Sequence, residues 1–379
     1  MKEIGIYVHI PFCKQKCLYC DFCSFSQKES LQKEYVDAVI KEIENCNINK
    51  SDCAIRTVYF GGGTPSYIEA PYIEKILESV RAKFDINPDA EITIEVNPGT
   101  ASFEKLNTYY QIGINRLSIG LQSTNDQLLS VIGRIHTYDE FKGTYDMARK
   151  IGFSNINVDL MIGLPTQSID DVEDSLNKII KLNPEHVSVY SLIVEENTKM
   201  KELIDSGKLV LPDENLERQM YWTVKNTLQK NGYNHYEISN FAKNGYESKH
   251  NSDCWNQHEY IGFGLSAHSY YNSIRYSNIC DLDEYIENIK IRQIEQNITV
   301  HEVQDAKSKM DEYVILKLRM MEGLNLDNFF KLFNVDFRET YKNKIEKLIK
   351  SNLIALDCNN IKLTDKGIDF ANIVWEEFV

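Results

Sequence analysis

The sequence predicts an α/β protein: an open, partial (β/α)6 barrel of parallel strands followed by a small C-terminal winged-helix-like α+β domain. Short β-branched runs alternate with amphipathic stretches through the first half of the chain, the pattern of βα units feeding a parallel sheet. Motifs rich in Cys, Gly, Pro and acidic residues stand at the ends of those runs, where the chemistry of a parallel barrel collects. From about His301 the pattern changes to a helix-rich segment with one candidate hairpin.

The strand runs are Ile4 to Ile10, Thr57 to Phe60, Glu91 to Val96, Arg116 to Ile119, Asn155 to Leu160 and His186 to Leu192. Between them, Glu34 to Cys46 and Asp170 to Leu182 show helical periodicity. Cys13 to Cys20 follows the first strand, Gly61 to Pro65 the second, Glu95 to Pro98 the third and Gln122 the fourth; Asp159 lies at the end of the fifth. The motifs therefore converge on one face. The hairpin is expected over Leu353 to Leu363, turning at Asn359 and Asn360, before a last helix. This divides the chain into a core barrel (1–235), an extension (236–300) and the C-terminal domain (301–379).

The chain has 379 residues, 42% of them apolar, enough to bury a large core, and no low-complexity tract interrupts it. A formal net charge of -14 sets an average field that repels nucleic acid and anionic lipid. The C-terminal region carries 12 basic and 14 acidic residues, so packing or protein contact is expected of it rather than DNA binding. Nothing resembles a signal peptide, and no apolar stretch approaches the ~20 residues that span a bilayer. The expected location is the cytoplasm. There, nine cysteines read better as metal ligands or catalytic groups than as disulfides. Cys46, Cys53, Cys280 and Cys358 lie scattered and are expected to be small buried hydrophobes.

Cys13-Lys-Gln-Lys-Cys17-Leu-Tyr-Cys20 is a C-x3-C-x2-C cluster, tight enough for one loop to wrap three thiolates around one corner of a metal site. A four-iron cube held by three thiolates keeps one iron open to a small molecule. Zinc is the weaker reading, because structural zinc sites pair two short Cys spacings across a longer gap. Cys23 is expected to be a spare thiol; as a fourth ligand it would close the site and leave a ferredoxin-like electron carrier.

Tyr-Val-His-Ile-Pro-Phe-Cys13 leads into the cluster, and Gly61-Gly62-Gly63-Thr64-Pro65 ends the next strand. With Glu95-Val-Asn97-Pro98-Gly99, Asn115 to Ser123, Gly133-Arg134-Ile-His136 and Asp159 to Pro165, they resemble the radical S-adenosylmethionine (SAM) superfamily. Within it they are similar to the subfamily that joins oxygen-independent coproporphyrinogen III oxidases to HemW-type heme chaperones. The resemblance implies a 4Fe-4S cluster on Cys13, Cys17 and Cys20. It places Tyr7, Tyr19, Gly62, Gly63, Thr64 and Glu95 around SAM, with Gln122, Arg134 and Asp159 at positions that meet a second SAM in the oxidase. The chemistry suits SAM, since carboxylates accept from ammonium and hydroxyl groups and a guanidinium pairs with a carboxylate. In this superfamily the reduced cluster passes an electron to SAM and breaks a carbon-sulfur bond.

The oxidase branch carries a further cysteine one residue beyond the third ligand and an extension before the first strand. Here Tyr19-Cys20-Asp21-Phe22 resembles the chaperone branch, and the chain begins almost at the strand. The chaperone branch also has a heme-associated His-Asn-x-x-Tyr-Trp segment, which reads His250-Asn251-Ser252-Asp253-Cys254-Trp255 here, with Cys in place of Tyr. Histidine and thiolate both ligate heme iron, so His250 and Cys254 are the heme candidates and His268 is a further one. The expected function is that of a heme chaperone that binds heme, a cluster and SAM and passes heme to an acceptor protein. A flavodoxin or ferredoxin would donate electrons. The alternative is oxidative decarboxylation of coproporphyrinogen III to protoporphyrinogen IX.

Overall fold

Runs of Ile, Val and Leu in the first half of the chain form the six strands expected of them. A computed structural model describes residues 1–379. β1 (Lys2–Ile10), β2 (Cys53–Gly62), β3 (Asp85–Val96), β4 (Arg116–Gln122), β5 (Ile156–Ile162) and β6 (His186–Ser191) pair in chain order, every pair parallel. β3 starts earlier than its apolar run because the polar stretch from Asp85 pairs first; the register then jumps from Ile55↔Ile86 to Thr57↔Glu91.

Helices α1 (Gln32–Asn45), α2 (Ala70–Lys83), α3 (Phe103–Gln111), α4 (Asp126–Val131), α5 (Tyr138–Ile151), α6 (Ile169–Leu182), α7 (Lys199–Asp205) and α8 (Glu214–Lys230) occupy the connections. Local sequence sets their ends. Thr137 with Glu140 and Ser168 with Asp171 make reciprocal capping boxes that start α5 and α6. Asn183 then stops α6 in the left-handed conformation.

Alternation along each strand decides what the barrel holds. Ile4, Ile6, Val8 and Ile10 join the main core of 56 buried residues, while Tyr7 and His9 face inward and meet each other. The inner surface is polar. Tyr59 donates to Glu95, Ser118 and Tyr190 donate to Asp159, and Asn157 donates to Ser118.

After β6 the chain adds strands to both edges. β7 (Asn234–Glu237) and β8 (Asn240–Ala242) make a hairpin against β6. α9 (Lys249–Trp255) then crosses to the other edge, where β9 (Tyr260–Phe263) pairs in parallel with β1. β10 (His268–Tyr271), β11 (Ile274–Asn278), α10 (Leu282–Lys290) and β12 (Ile298–Val303) complete an extended sheet of 12 strands. The sequence reading missed these strands because most run for only three to five residues, too short for a period-two pattern to stand out.

The C-terminal region opens with α11 (Ala306–Lys317). β13 (Leu324–Asn325), β14 (Ile354–Asp357) and β15 (Asn360–Leu363) form a small antiparallel sheet, and 16 buried residues make a separate core there. The hairpin lies where expected, with one correction. Its turn is Cys358 and Asn359, and Asn360 already pairs in β15. Cys358 has φ 51° and is exposed, so it is not the buried hydrophobe expected of it. No helix is long and apolar enough to cross a membrane.

Candidate cluster and cofactor site

The loop after β1 is closed at its base by backbone pairing. Cys13 N donates to Phe25 O at 2.9 Å, Phe25 N donates to Pro11 O at 2.7 Å, and Phe12 is buried beneath them. The residues between are thus projected as one loop carrying Cys13, Cys17 and Cys20, all with free thiols. Burial pushes the Cys13 and Cys20 thiols up from their ordinary range, so deprotonation there calls for a cation or a metal to offset it.

The glycine motif is fitted to this loop. Gly63 N donates to Ile10 O at 2.8 Å. A Cβ at Gly63 would lie 2.9 Å from Cys13 Sγ and 3.1 Å from the Ile10 and Phe12 carbonyls. Gly62 has φ +114°, and a Cβ there would stand 2.6 Å from the His9 ring. Both positions require glycine for close approach. Thr64 Oγ1 lies 3.5 Å from Cys13 Sγ.

The segment after β4 clasps the loop from the other side. Leu18 N donates to Ile132 O at 3.1 Å and Gln15 Nε2 to Gly133 O at 3.1 Å. Arg134 donates to Gly120 O at 2.6 Å and points Nη1 at Cys17 Sγ, 3.6 Å away. The guanidinium therefore faces a thiol and the β4 backbone rather than an acidic partner. Tyr19 is drawn into the same group, its hydroxyl pushed up by burial beside Arg134, Cys17 and Cys20.

Tyr7 OH donates to His9 Nδ1 at 3.0 Å, and His9 Nε2 donates to Cys23 O at 2.9 Å. Burial takes His9 down to about 4, so it stays neutral and fixes the end of the cluster loop. Glu95 accepts from Tyr59 OH at 2.9 Å and Gly62 N at 3.2 Å. Burial pushes its carboxyl up to about 7. Asp159, raised by burial too, accepts from Asn157 at 2.7 Å and Tyr190 at 3.1 Å. Gln122 sits at a register shift between β4 and β5 with φ 71°, a left-handed conformation that costs a non-glycine residue energy. His9, Tyr59 and Tyr190 are site residues the sequence reading did not assign. The one signal for them was the His inside Tyr-Val-His-Ile-Pro-Phe-Cys13.

Cys23 requires a correction. It forms a disulfide with Cys280 across 257 residues, with Cα atoms 6.2 Å apart, so neither is the isolated residue expected. Its sulfur is committed to the extension, which removes the basis for a fourth ligand and for a closed electron carrier.

The structure separates His250 and Cys254 from the cluster. His250 is 8% exposed, its Nδ1 lies 2.8 Å from Thr57 Oγ1, and its ring stacks on Tyr59 at 5.1 Å. Its backbone N–H donates to Glu91. These partners lie at mid-strand in β2 and β3, short of the glycine run and Glu95, with His250 beside Gly5 of β1, five residues or roughly 16 Å of strand from Ile10. The chain between β8 and β9 must cross from edge to edge, and α9 does so at the closed end of the barrel. Cys254, one turn further along α9, has its thiol pushed up to about 12 by burial. His268 is exposed on β10.

Several buried atoms around the mouth have no partner within the protein: Gln122 Oε1, Arg134 Nε and Asn97 Oδ1. Orphan groups of this kind are costly unless a ligand or water meets them. No three His, Cys, Asp or Glu side chains converge on one point, as ligands of a single zinc ion would; a cube gives each thiolate a different iron. The free thiols, the glycine cradle and the orphan polar atoms thus fit an iron-sulfur cluster with SAM on it.

The model of the Radical SAM superfamily matches residues 7–179, and that of the HemN C-terminal domain matches residues 304–370. The chain is 37% identical over 378 residues to the heme chaperone HemW of Lactococcus lactis, covering 100% of this chain and 98% of that one. It is 35% identical over 374 residues to the heme chaperone HemW of Bacillus subtilis, covering 98% of each. Among solved structures, coproporphyrinogen III oxidase (HemN) from Escherichia coli matches with a TM-score of 0.86 at 23% identity, over 100% of this chain and 90% of that one. At that identity the likeness speaks for the fold alone. The chain belongs to the radical SAM superfamily and, within it, to the HemW family.

Proposed function

We propose that this protein is a heme chaperone that holds a 4Fe-4S cluster and SAM at the barrel mouth and passes heme to an acceptor protein. The observation that carries it is the intact cradle: three free thiols on one loop beside two glycines that admit no Cβ, in a chain that its chaperone relatives match from end to end.

Cys13, Cys17 and Cys20 would hold the cluster, with Thr64 and Arg134 against two of the sulfurs. Tyr7, Tyr19, Gly62, Gly63, Thr64 and Glu95 would hold SAM, and Gln122, Arg134 and Asp159 line the adjoining inner wall. When bound, the cluster supplies one electron to SAM. The protein's part is orientation and exclusion of water. Glu95 would accept from a hydroxyl or ammonium group of SAM, the glycine backbone would let its amino group approach, and the Tyr7–His9–Cys23 chain keeps the loop in place. Exposed apolar residues stand around the mouth: Phe22 after β1, Ile135 after β4 and Ile193 after β6. An apolar rim of this kind suits a flat hydrophobic macrocycle. The cytoplasm as location, and a flavodoxin or ferredoxin as electron donor, belong to the same proposal.

Anaerobic reconstitution tests it. The cluster spectrum should change when SAM is added, and heme titration should give a shifted Soret band. A spectrum indifferent to SAM overturns the open-iron reading. Steady formation of protoporphyrinogen IX from coproporphyrinogen III, with reductant and SAM present, would make the protein the oxidase instead.

A further inference from the structure

We infer that heme iron is held by His268, on the inner face of the strand extension, with His301 stacked beside it. This rests on the heme reading above and places its cargo. The two imidazoles lie 5.5 Å apart between centroids and only 18° from parallel. Both are exposed. The His301 ring is anchored by a 2.7 Å hydrogen bond between Nε2 and Ser277 Oγ. His268 makes no side-chain hydrogen bond to the protein, so its ring nitrogens stay free to ligate. Two exposed histidines stacked in this way contribute little to a fold, whereas neutral imidazole is a ready ligand for heme iron.

Strand register puts them beside the mouth. Tyr270 is opposite Tyr260, which is opposite Gly5, and these residues continue the barrel's inner face onto the extension. His268, two residues before Tyr270, shares that face nearer the cluster end, and it is opposite Ser277. Two residues past β11, Cys280 is bonded to Cys23, three residues beyond the last cluster cysteine. The extension bearing His268 is therefore tied to the cluster loop, and exposed Phe22 adjoins the tie. His250 has none of these properties: its Nδ1 is taken by Thr57 and it packs at the closed end.

The test is heme titration of the full-length protein followed by the Soret band. His268→Ala should weaken binding about tenfold or more without changing the circular dichroism, since the residue is exposed. His301→Ala should weaken it less, and His301→Phe, which keeps a stacked ring, should restore most of the loss. Heme should also shield His268 of the unaltered protein from carbethoxylation, read by mass spectrometry of the peptide. Unchanged titration of His268→Ala overturns the site, as does a Soret shift lost only in a folded His250→Gln variant. A flat titration of the unaltered protein overturns the chaperone reading itself, and this site with it.

Discussion

Glu95 shows how one buried carboxyl couples ligand to pH. Burial carries it up to about 7, so near neutrality the free protein holds it partly protonated. An ammonium beside it favours the ionised form, so SAM affinity should rise as pH increases from about 6 to 8 and level off above. The folded group keeps its proton to a higher pH than the unfolded one, whose ordinary value is about 4.3. The free protein therefore loses this contribution to stability as pH rises from about 4.3 to about 7. Calorimetry of SAM binding across the former range checks the slope, and Glu95→Gln should flatten it; a slope that survives the substitution assigns the titration elsewhere. The cysteines give a second prediction. Cys13→Ser, Cys17→Ser and Cys20→Ser should each lose most of the reconstituted iron, and Cys23→Ser should keep it. Iron and sulfide analysis decides, and loss in Cys23→Ser would restore the fourth-ligand reading. At this scale the sequence was legible where spacing alone carries meaning, as in the three cysteines and the glycine run. It was silent on Cys23, whose partner lies 257 residues away, because no local pattern encodes so distant a contact.

Among elements, α1 shows what holds the extension to the barrel. Glu42 is buried on its apolar face, where it accepts from Gly264 N at 2.8 Å, Asn278 Nδ2 at 2.6 Å and Tyr285 OH at 2.5 Å. One side chain thus ties α1 to the turn after β9, to β11 and to α10. Glu42→Ala leaves three buried donors unmatched and should cost about 2 to 4 kcal/mol. Urea unfolding measures it, and a loss below about 1 kcal/mol would mean that water replaces the carboxylate. A Glu among Val36, Val39 and Ile43 on one helical face was visible in the sequence, but its partners were not. The partners sit on a turn, a strand and a helix of the extension, whose strands are brief and mix aromatic with polar residues, so that their pairing depends on β1 being present as a template.

Over the whole molecule, the C-terminal module is keyed to the same helix that floors the barrel. The Arg319 guanidinium lies 4.5 Å from the ring of Trp255, at the end of α9, and 4.5 Å from Trp375 of the module. Lys317 donates to Asn256 at 2.6 Å, and backbone bonds join Ile238 to Arg319 and Met321 to Tyr236. Trp222 Nε1 donates to Asp369 at 2.9 Å on the flank. The module has its own core, so its attachment is an interface rather than a continuation of the barrel's packing. Removing one guanidinium severs two cation-π contacts at once, each about 0.5 to 2 kcal/mol. Arg319→Ala should therefore loosen the module before it harms the barrel. Thermal unfolding should separate into two transitions, with the lower one assigned to the module, and limited proteolysis should cut between β12 and α11. Because α9 also carries His250 against Thr57 and Glu91, the variant should leave cluster reconstitution intact while it frees the floor at Trp255. A single transition at the unaltered temperature would show that the backbone bonds and Trp222 hold the module without Arg319.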